Sequence, residues 1–311
     1  MKLTTLIKAI DDFLFKPTPV HNVAFLRIGF GILLLFNWFM IFADMDTFFG
    51  PNGLISLSTA QQYGNQLRFS LFDYLPHTEK VTTTLAIINL IAVVGMTIGF
   101  WTKTSIAVAF ITLISFHHRN GFILNSADSV LRVFLFLMFF THCADMFSLD
   151  RWIKLQKGKA PLMPEEKSPW ALRMIQIQFC IIYIATVMFK LKGERWIDGS
   201  AIYVATRLDD FVRFELPLLN NLILVKWMTW GTLAVEIALG TLVWIKELRY
   251  WVLLAGIGLH LGIEYTMAIP VFEWAMIILM ISMVDPYDLK KVWESFKDKQ
   301  LQRLSRKQVT V

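Results

Sequence analysis

Apolar residues run along this chain in blocks of roughly twenty, the length needed to cross a hydrocarbon layer as a helix, separated by short polar turns. The blocks predict spans at about 22–43, 81–101, 104–117, 129–148, 169–189, 219–245, 250–269 and 271–284. The last is short and follows Pro270. Residues 1–20 differ: Leu3, Ile7, Ile10 and Leu14 recur at helical spacing beside Lys2, Lys8 and Lys16, which predicts an amphipathic helix lying in the membrane interface, ended by Pro17 and Pro19. The 44–80 connection is expected to be partly helical around Ser58 to Leu67, and Ser200 to Phe214 to form a short helix along the interface. From Pro286 a basic tail carries Lys290, Lys291, Lys297, Lys299, Arg303, Arg306 and Lys307 on a broken apolar stripe. No internal repeat is visible.

Composition agrees with the pattern. Of 311 residues 56% are hydrophobic and 17% charged, with 11 Trp and 26 Phe to supply interfacial aromatic belts. The net charge of +6 sits in loops and tail, and no basic stretch is interleaved with stacking aromatics, so nucleic acid is not an expected partner. Cys143 and Cys180 lie inside apolar runs, so a disulfide framework is not expected. The first apolar run exceeds a signal h-region and lacks a small-residue cleavage site, so it reads as a retained span. The fold class is all-α: an integral membrane bundle of about eight spans forming one domain. Lys and Arg concentrate in the N-terminal segment, the 102–103 and 246–249 turns, the 149–168 loop and the tail, so both termini are expected in the cytoplasm of a multi-pass cell-membrane protein.

With that topology, polar side chains collect at the outer boundary. The third connection contributes His117, His118, Arg119, Asn120, Asn125, Asp128 and Arg132. Lys190, Lys192, Glu194, Trp196 and Asp198 follow span five, Lys226 lies in span six, and His260 and Glu264 in span seven. Charge at membrane depth costs a few kcal/mol (about 3 on insertion scales), so these groups are expected to face protein or water. Their convergence predicts an outward-opening pocket. Simpler roles stand beside it. Lys190 at a span end can snorkel to the interface, Asp128 and Arg132 can pair at i, i+4, and Arg27 can pair with Glu236 as structural glue. His117, His118, His142, His260, Asp145 and Glu264 show no HExxH or CxxC spacing, so no metal is expected. A GxSxG elbow and a glycine-rich phosphate loop are also absent.

Several stretches together resemble one family: Phe25-Leu26-Arg27-Ile28-Gly29-Phe30-Gly31, His118-Arg119-Asn120 with Asn125 and Asp128, Ser148-Leu149-Asp150, Lys190-Leu191 with Trp196, Asp198-Gly199-Ser200-Ala201, then Glu236, His260 and Phe272. The resemblance is to the HTTM (horizontally transferred transmembrane) family, which includes the membrane part of vitamin K-dependent γ-glutamyl carboxylase. It implies a lysine base that deprotonates a reduced naphthoquinone (vitamin K hydroquinone or menaquinol), with O2 and CO2 as co-substrates and a peptide glutamate as the carboxylated group. By position Lys190 resembles the catalytic lysine and His260 a histidine of the quinone pocket. His118 and Asn120 fall in the related polar connection, with Arg119, Asp128, Arg132, Trp196, Lys226 and Glu264 as further pocket candidates. The sequence departs from animal carboxylases in having Phe189 where they have a first lysine, and one more residue before Trp196. Besides the bilayer, the expected partners are a quinone and a peptide or protein substrate. The alternative is a non-enzymatic scaffold or peptide-maturation factor that holds a lipid or peptide in the same cavity. A transporter would require two related halves with broken helices, which the sequence does not show.

Overall fold

The computed structural model describes residues 3–63 and 68–309, with side chains up to residue 298. Lys2 and Leu67, and the side chains of Lys299, Arg303, Arg306 and Lys307, lie outside the described set. Among the described residues there are fifteen α-helices, four- and three-residue 3-10 turns, and no strand beyond two isolated bridges. In chain order the helices are α1 (Leu3–Phe15), α2 (His21–Phe42), α3 (Met45–Phe49), α4 (Leu57–Tyr63), α5 (Glu79–Ile98), α6 (Thr102–Arg119), α7 (Ser126–Phe140), α8 (Leu149–Gln156), α9 (Trp170–Lys190), α10 (Glu194–Ile197), α11 (Ala201–Ala205), α12 (Leu222–Gly240), α13 (Arg249–Thr266), α14 (Pro270–Met280) and α15 (Pro286–Val309).

A helix stands at each of the eight expected spans. Four of them, α2, α5, α9 and α12, are long and apolar enough to cross a membrane, and a fifth span counts if α14 and α15, bent by 95°, are taken together. Of the others, α6 is longer than its expected run, whereas α7, α13 and α14 are shorter, α7 and α14 for identifiable reasons. Helix α7 stops at Phe140, where Lys103 donates to the carbonyls of Phe139 and, at 2.6 Å, Thr141, placing a cation on a helix C-terminus. Helix α14 begins at Pro270, which suits a first helical position because it has no N–H to leave unpaired. The Ser200–Phe214 helix reduces to α11. Beyond it, Val212 bridges to Met267 and Arg213 donates to Met267 O at 3.1 Å, so that stretch is tied to the end of α13 instead of coiling. Helix α1 docks on α9, with Arg173 over the Phe13 ring at 4.6 Å and its Nε bonded to Phe13 O.

One apolar core joins α2, α5, α6, α7, α9, α12, α13 and α14 through residues such as Leu26, Phe30, Met96, Leu131, Phe134, Phe179 and Leu279, all fully buried. Arg27 sits inside it with no exposed surface. Its Nη1 donates to Met96 O (2.7 Å) and Thr97 O (2.9 Å) and its Nη2 to Phe147 O (2.6 Å). It therefore satisfies carbonyls at the end of α5 that have no partner within the helix. The expected Arg27–Glu236 pair does not form. Backbone carbonyls already saturate one face of the guanidinium, and Glu236 bonds elsewhere.

Beside Arg27 the chain reverses at Gly99 (φ +73), where a Cβ would come within 2.6 Å of Arg27 Nη1 and 2.4 Å of the Ser148 side chain. Trp101, also left-handed at φ 43, enters α6 under control of Asp150, which accepts from the backbone N–H groups of Trp101 (2.9 Å) and Thr102 (2.8 Å) and from Thr102 Oγ1 (2.7 Å). Burial alone would raise the Asp150 carboxyl, but these hydrogen bonds outweigh it and hold the group below its ordinary value. A depressed carboxyl stabilises the fold at every pH above the ordinary carboxylate range and loses that contribution as pH falls through its folded value. Asp150→Asn is expected to cost about 1 kcal/mol at neutral pH, the usual worth of a helix cap. The gap from wild type should narrow only below about pH 4, read from thermal unfolding in detergent across a pH series.

Candidate functional site

Helix α9 stops at Lys190, where Gly193 N–H turns back to Lys190 O at 2.9 Å. The segment that follows is pegged to the first half of α12: Trp230 Nε1 donates to Ile197 O (3.2 Å) and Ile202 N–H to Thr229 Oγ1 (3.3 Å). Gly199 (φ +84) lies so close to the stem of Lys226 that a Cβ would meet it at 2.8 Å. Lys226 is thereby packed against this turn, outside the cavity.

Lys190 does not snorkel. Its ammonium folds back to Glu236 Oε1 at 2.5 Å, with the Trp196 ring 4.5 Å from Nζ on the other side. Glu236 is about 21 Å along α12 from Leu222 at 1.5 Å per residue. The lysine side chain is one-fifth exposed and the glutamate less than one-tenth. A carboxylate buried at that depth holds the ammonium more strongly than the interface attracts it, because removing either partner would leave a bare charge in a medium that solvates it poorly.

A second polar group lines the same cavity. Tyr183 Oη and His260 Nε2 are 2.7 Å apart, and His260 Nδ1 contacts Glu273 Oε2. All three residues are buried to 97% or more. Tyr183 and Lys190 share one face of α9, seven residues apart. His260 comes from α13 and Glu273 from the first turn of α14, so the chain of contacts links three helices.

The cavity between these groups measures about 680 Å³. Its polar margin is Asn125, Ser126 and Ser129 at the start of α7, with Gln178 and Thr186 of α9. Its walls are apolar, including Phe134, Phe189, Phe272, Ile263 and Met276. The volume falls within the range of small-molecule sites.

The remaining candidates lie outside this cavity. Asp128 takes His117 (3.3 Å) instead of Arg132, and also caps α7 by accepting from Asn125 N–H at 2.8 Å. Arg132 reaches His118 Nε2 and Ser129 Oγ, each at 3.4 Å. His118 Nδ1 faces the backbone of Phe69. Arg119, fully buried, donates to Gly50 O and Ile55 O at 2.8 Å and to His77 at 3.1 Å. Asn120 donates to Phe48 O at 3.0 Å. His118, Arg119 and Asn120 thus hold the 44–80 connection against α6. That connection supplies carbonyls without a sequence signature, so its pull on them could not be read from spacing. Glu264 pairs with Arg213 at 2.7 Å, which draws it away from His260 although the two share a helical face. Among the described residues, no three His, Cys, Asp or Glu side chains gather as a metal-ligand group.

Sequence reasoning passed over Tyr183 and Glu273. Glu273 carried the same signal as Glu236, an acid flanked by Phe272 and Trp274 within an apolar run. Tyr183 carried none, since tyrosine is common in spans.

A family model, the HTTM domain, matches residues 15–287. The chain belongs to the HTTM domain family. No curated protein and no solved structure matches it. Membership accounts for an apolar helical protein of the membrane, and the helices matched include all those that line the cavity.

The geometry predicts strong coupling between Lys190 and Glu236. Lys190→Met or Glu236→Gln alone is expected to cost about 3–5 kcal/mol, the effect of stranding a buried charge. The double variant should cost less than the sum by at least about 1 kcal/mol, measured by unfolding in detergent.

Proposed function

We propose that this HTTM-domain protein binds a reduced naphthoquinone in the 680 Å³ cavity and uses Lys190 as the base toward its hydroxyl. The observation that carries this reading is the pair of buried acid–base groups, Lys190–Glu236 and Tyr183–His260–Glu273, facing one apolar-walled space. A flat aromatic diol suits it: apolar walls for the rings, and a polar group on either side. With oxygen, such a quinol would supply the strong base needed to remove a γ-proton from a peptide glutamate before addition of CO2, as in the carboxylase of this family.

The chain's own residues define the proton path. Lys190 accepts a proton only as the free amine. Glu236 provides for that, because a proton handed from Nζ to Oε1 across 2.5 Å leaves a neutral amine beside a neutral acid. Net charge in the cavity is unchanged, so the transfer avoids the penalty of creating charge in a low dielectric. His260, held by Glu273, orients Tyr183 as a hydroxyl that can donate to or accept from the far side of the ring. Phe272, with its centroid 6.4 Å from the His260 ring, closes the apolar wall there.

The charge distribution of the loops supports an outward opening, with both termini cytoplasmic. Lys192→Cys should therefore react with an impermeant maleimide added to intact cells; protection there together with labelling of a cysteine at Lys159 would reverse the orientation.

In purified protein, Lys190→Ala should lower oxygen uptake driven by a reduced naphthoquinone by about 10²-fold or more, the usual worth of a positioned base. Quinone binding, followed by quenching of tryptophan fluorescence, should persist. Equal uptake by the variant would remove Lys190 from the chemistry. Binding by wild type without any uptake would favour the scaffold reading, in which the cavity only holds its ligand.

A further inference from the structure

A second cavity, of about 300 Å³, lies at the opposite end of the α2 span from Phe42. It is enclosed by the first residue of α2, by α8, by the 162–166 loop and by one face of α15. Nothing in the proposed chemistry uses it. Helix α15 leaves α14 at 95°, so it turns away from the direction of the spans and runs across their ends. The cavity therefore sits where span ends meet the lipid head groups.

Its lining is divided. Arg151, Lys290 and Lys297 supply cations. Among the described residues neither Lys290 nor Lys297 has an ion-pair partner, and Arg151 spends one nitrogen on the carbonyls of Pro161 and Leu162. Two carboxylates, Glu294 and Glu166, the latter accepting from the Tyr287 hydroxyl at 3.2 Å, stand against these three cations, so the lining keeps a net positive charge. On the other side Trp152, Leu162 and Met163 are more than half exposed, with Leu162 at 90%. They form an apolar lip beside the cations. Such a lip belongs against acyl chains, as interfacial Trp and aliphatic side chains do in membrane proteins.

His21 gives the independent observation. It is 97% buried, lines this cavity, and its Nδ1 has no hydrogen-bond partner. An unpaired buried polar atom costs about 1–3 kcal/mol, and a small rotation of the ring that opens Nδ1 to the cavity would let a ligand oxygen among the three cations satisfy it.

The geometry points to a bound anionic phospholipid, its phosphate between His21, Arg151 and Lys297 and one acyl chain leaving over Trp152, Leu162 and Met163. A volume of 300 Å³ admits the head group and the first carbons of a chain, and the rest lies in the bilayer. A zwitterionic lipid would bring a choline toward the same cations. Basic pockets at the ends of spans select for anionic head groups in this way.

The test uses the full chain, purified in mild detergent and exchanged into mixed micelles of either phosphatidylglycerol or phosphatidylcholine. Native mass spectrometry counts retained lipid, and thermal unfolding gives its effect. One phosphatidylglycerol per chain should be retained and should raise Tm, whereas phosphatidylcholine should do neither. Lys290→Gln with Lys297→Gln should cut retention about tenfold, and both substitutions are on side chains free of ion pairs in the described structure, so lipid-free Tm should hold. His21→Phe, which keeps the ring and removes the polar atom, should also lower retention. Equal retention of phosphatidylcholine, unchanged retention by both variants, or displacement of phosphatidylglycerol by 10 mM inorganic phosphate with the same rise in Tm would each overturn the assignment, the last by making this a site for free phosphate.

Discussion

Arg27 is the constraint on which the bundle depends. A guanidinium with no exposed surface in an apolar core has to be met by acceptors, and three backbone carbonyls meet it: two where α5 ends and one at Phe147 after α7. Because those carbonyls come from two chain reversals, the arginine fixes α2, α5 and the entry to α8 in one place. Gly99 leaves room for it, and Asp150 starts α6 from the same knot. The position of α6 then sets that of α7, whose first turn forms the polar margin of the large cavity.

Arg27 and Glu236 find separate partners: backbone carbonyls take the arginine, and Glu236 pairs with Lys190. The same economy separates the two polar regions of the protein. His118, Arg119 and Asn120 serve the 44–80 connection and His117 pairs with Asp128 of α7, while Tyr183, Lys190, Glu236, His260 and Glu273 serve the cavity.

Much of the fold was legible because apolar run length and turn residues are local properties. Helices stand at all eight expected positions, although only four satisfy length and apolarity as spans, with a fifth from the bent α14–α15 pair. The site was legible in part. A charge at membrane depth announces itself in sequence, which is why Lys190 and His260 stood out as site residues, whereas Glu236 was noticed but expected to pair with Arg27. Partner choice did not, because it is decided by carbonyls and helix contacts distant along the chain: Arg27 chose backbone, Asp128 chose His117, and Glu264 chose Arg213. The Ser200–Phe214 stretch failed for a related reason, since its pairing with Met267 is tertiary.

The depth of Lys190 has an electrical consequence. In a helix that crosses a membrane, as the length and apolarity of α12 allow, a pair this far along from Leu222 would lie inside the electric field, where moving one elementary charge through the full potential changes its energy by about 2.3 kcal/mol per 100 mV. A proton that enters from the water at one face and stops at this pair traverses part of that drop. The energy of bringing a proton to the pair then depends on the potential across the membrane. The exchange between Lys190 and Glu236 themselves, over 2.5 Å, is nearly blind to it.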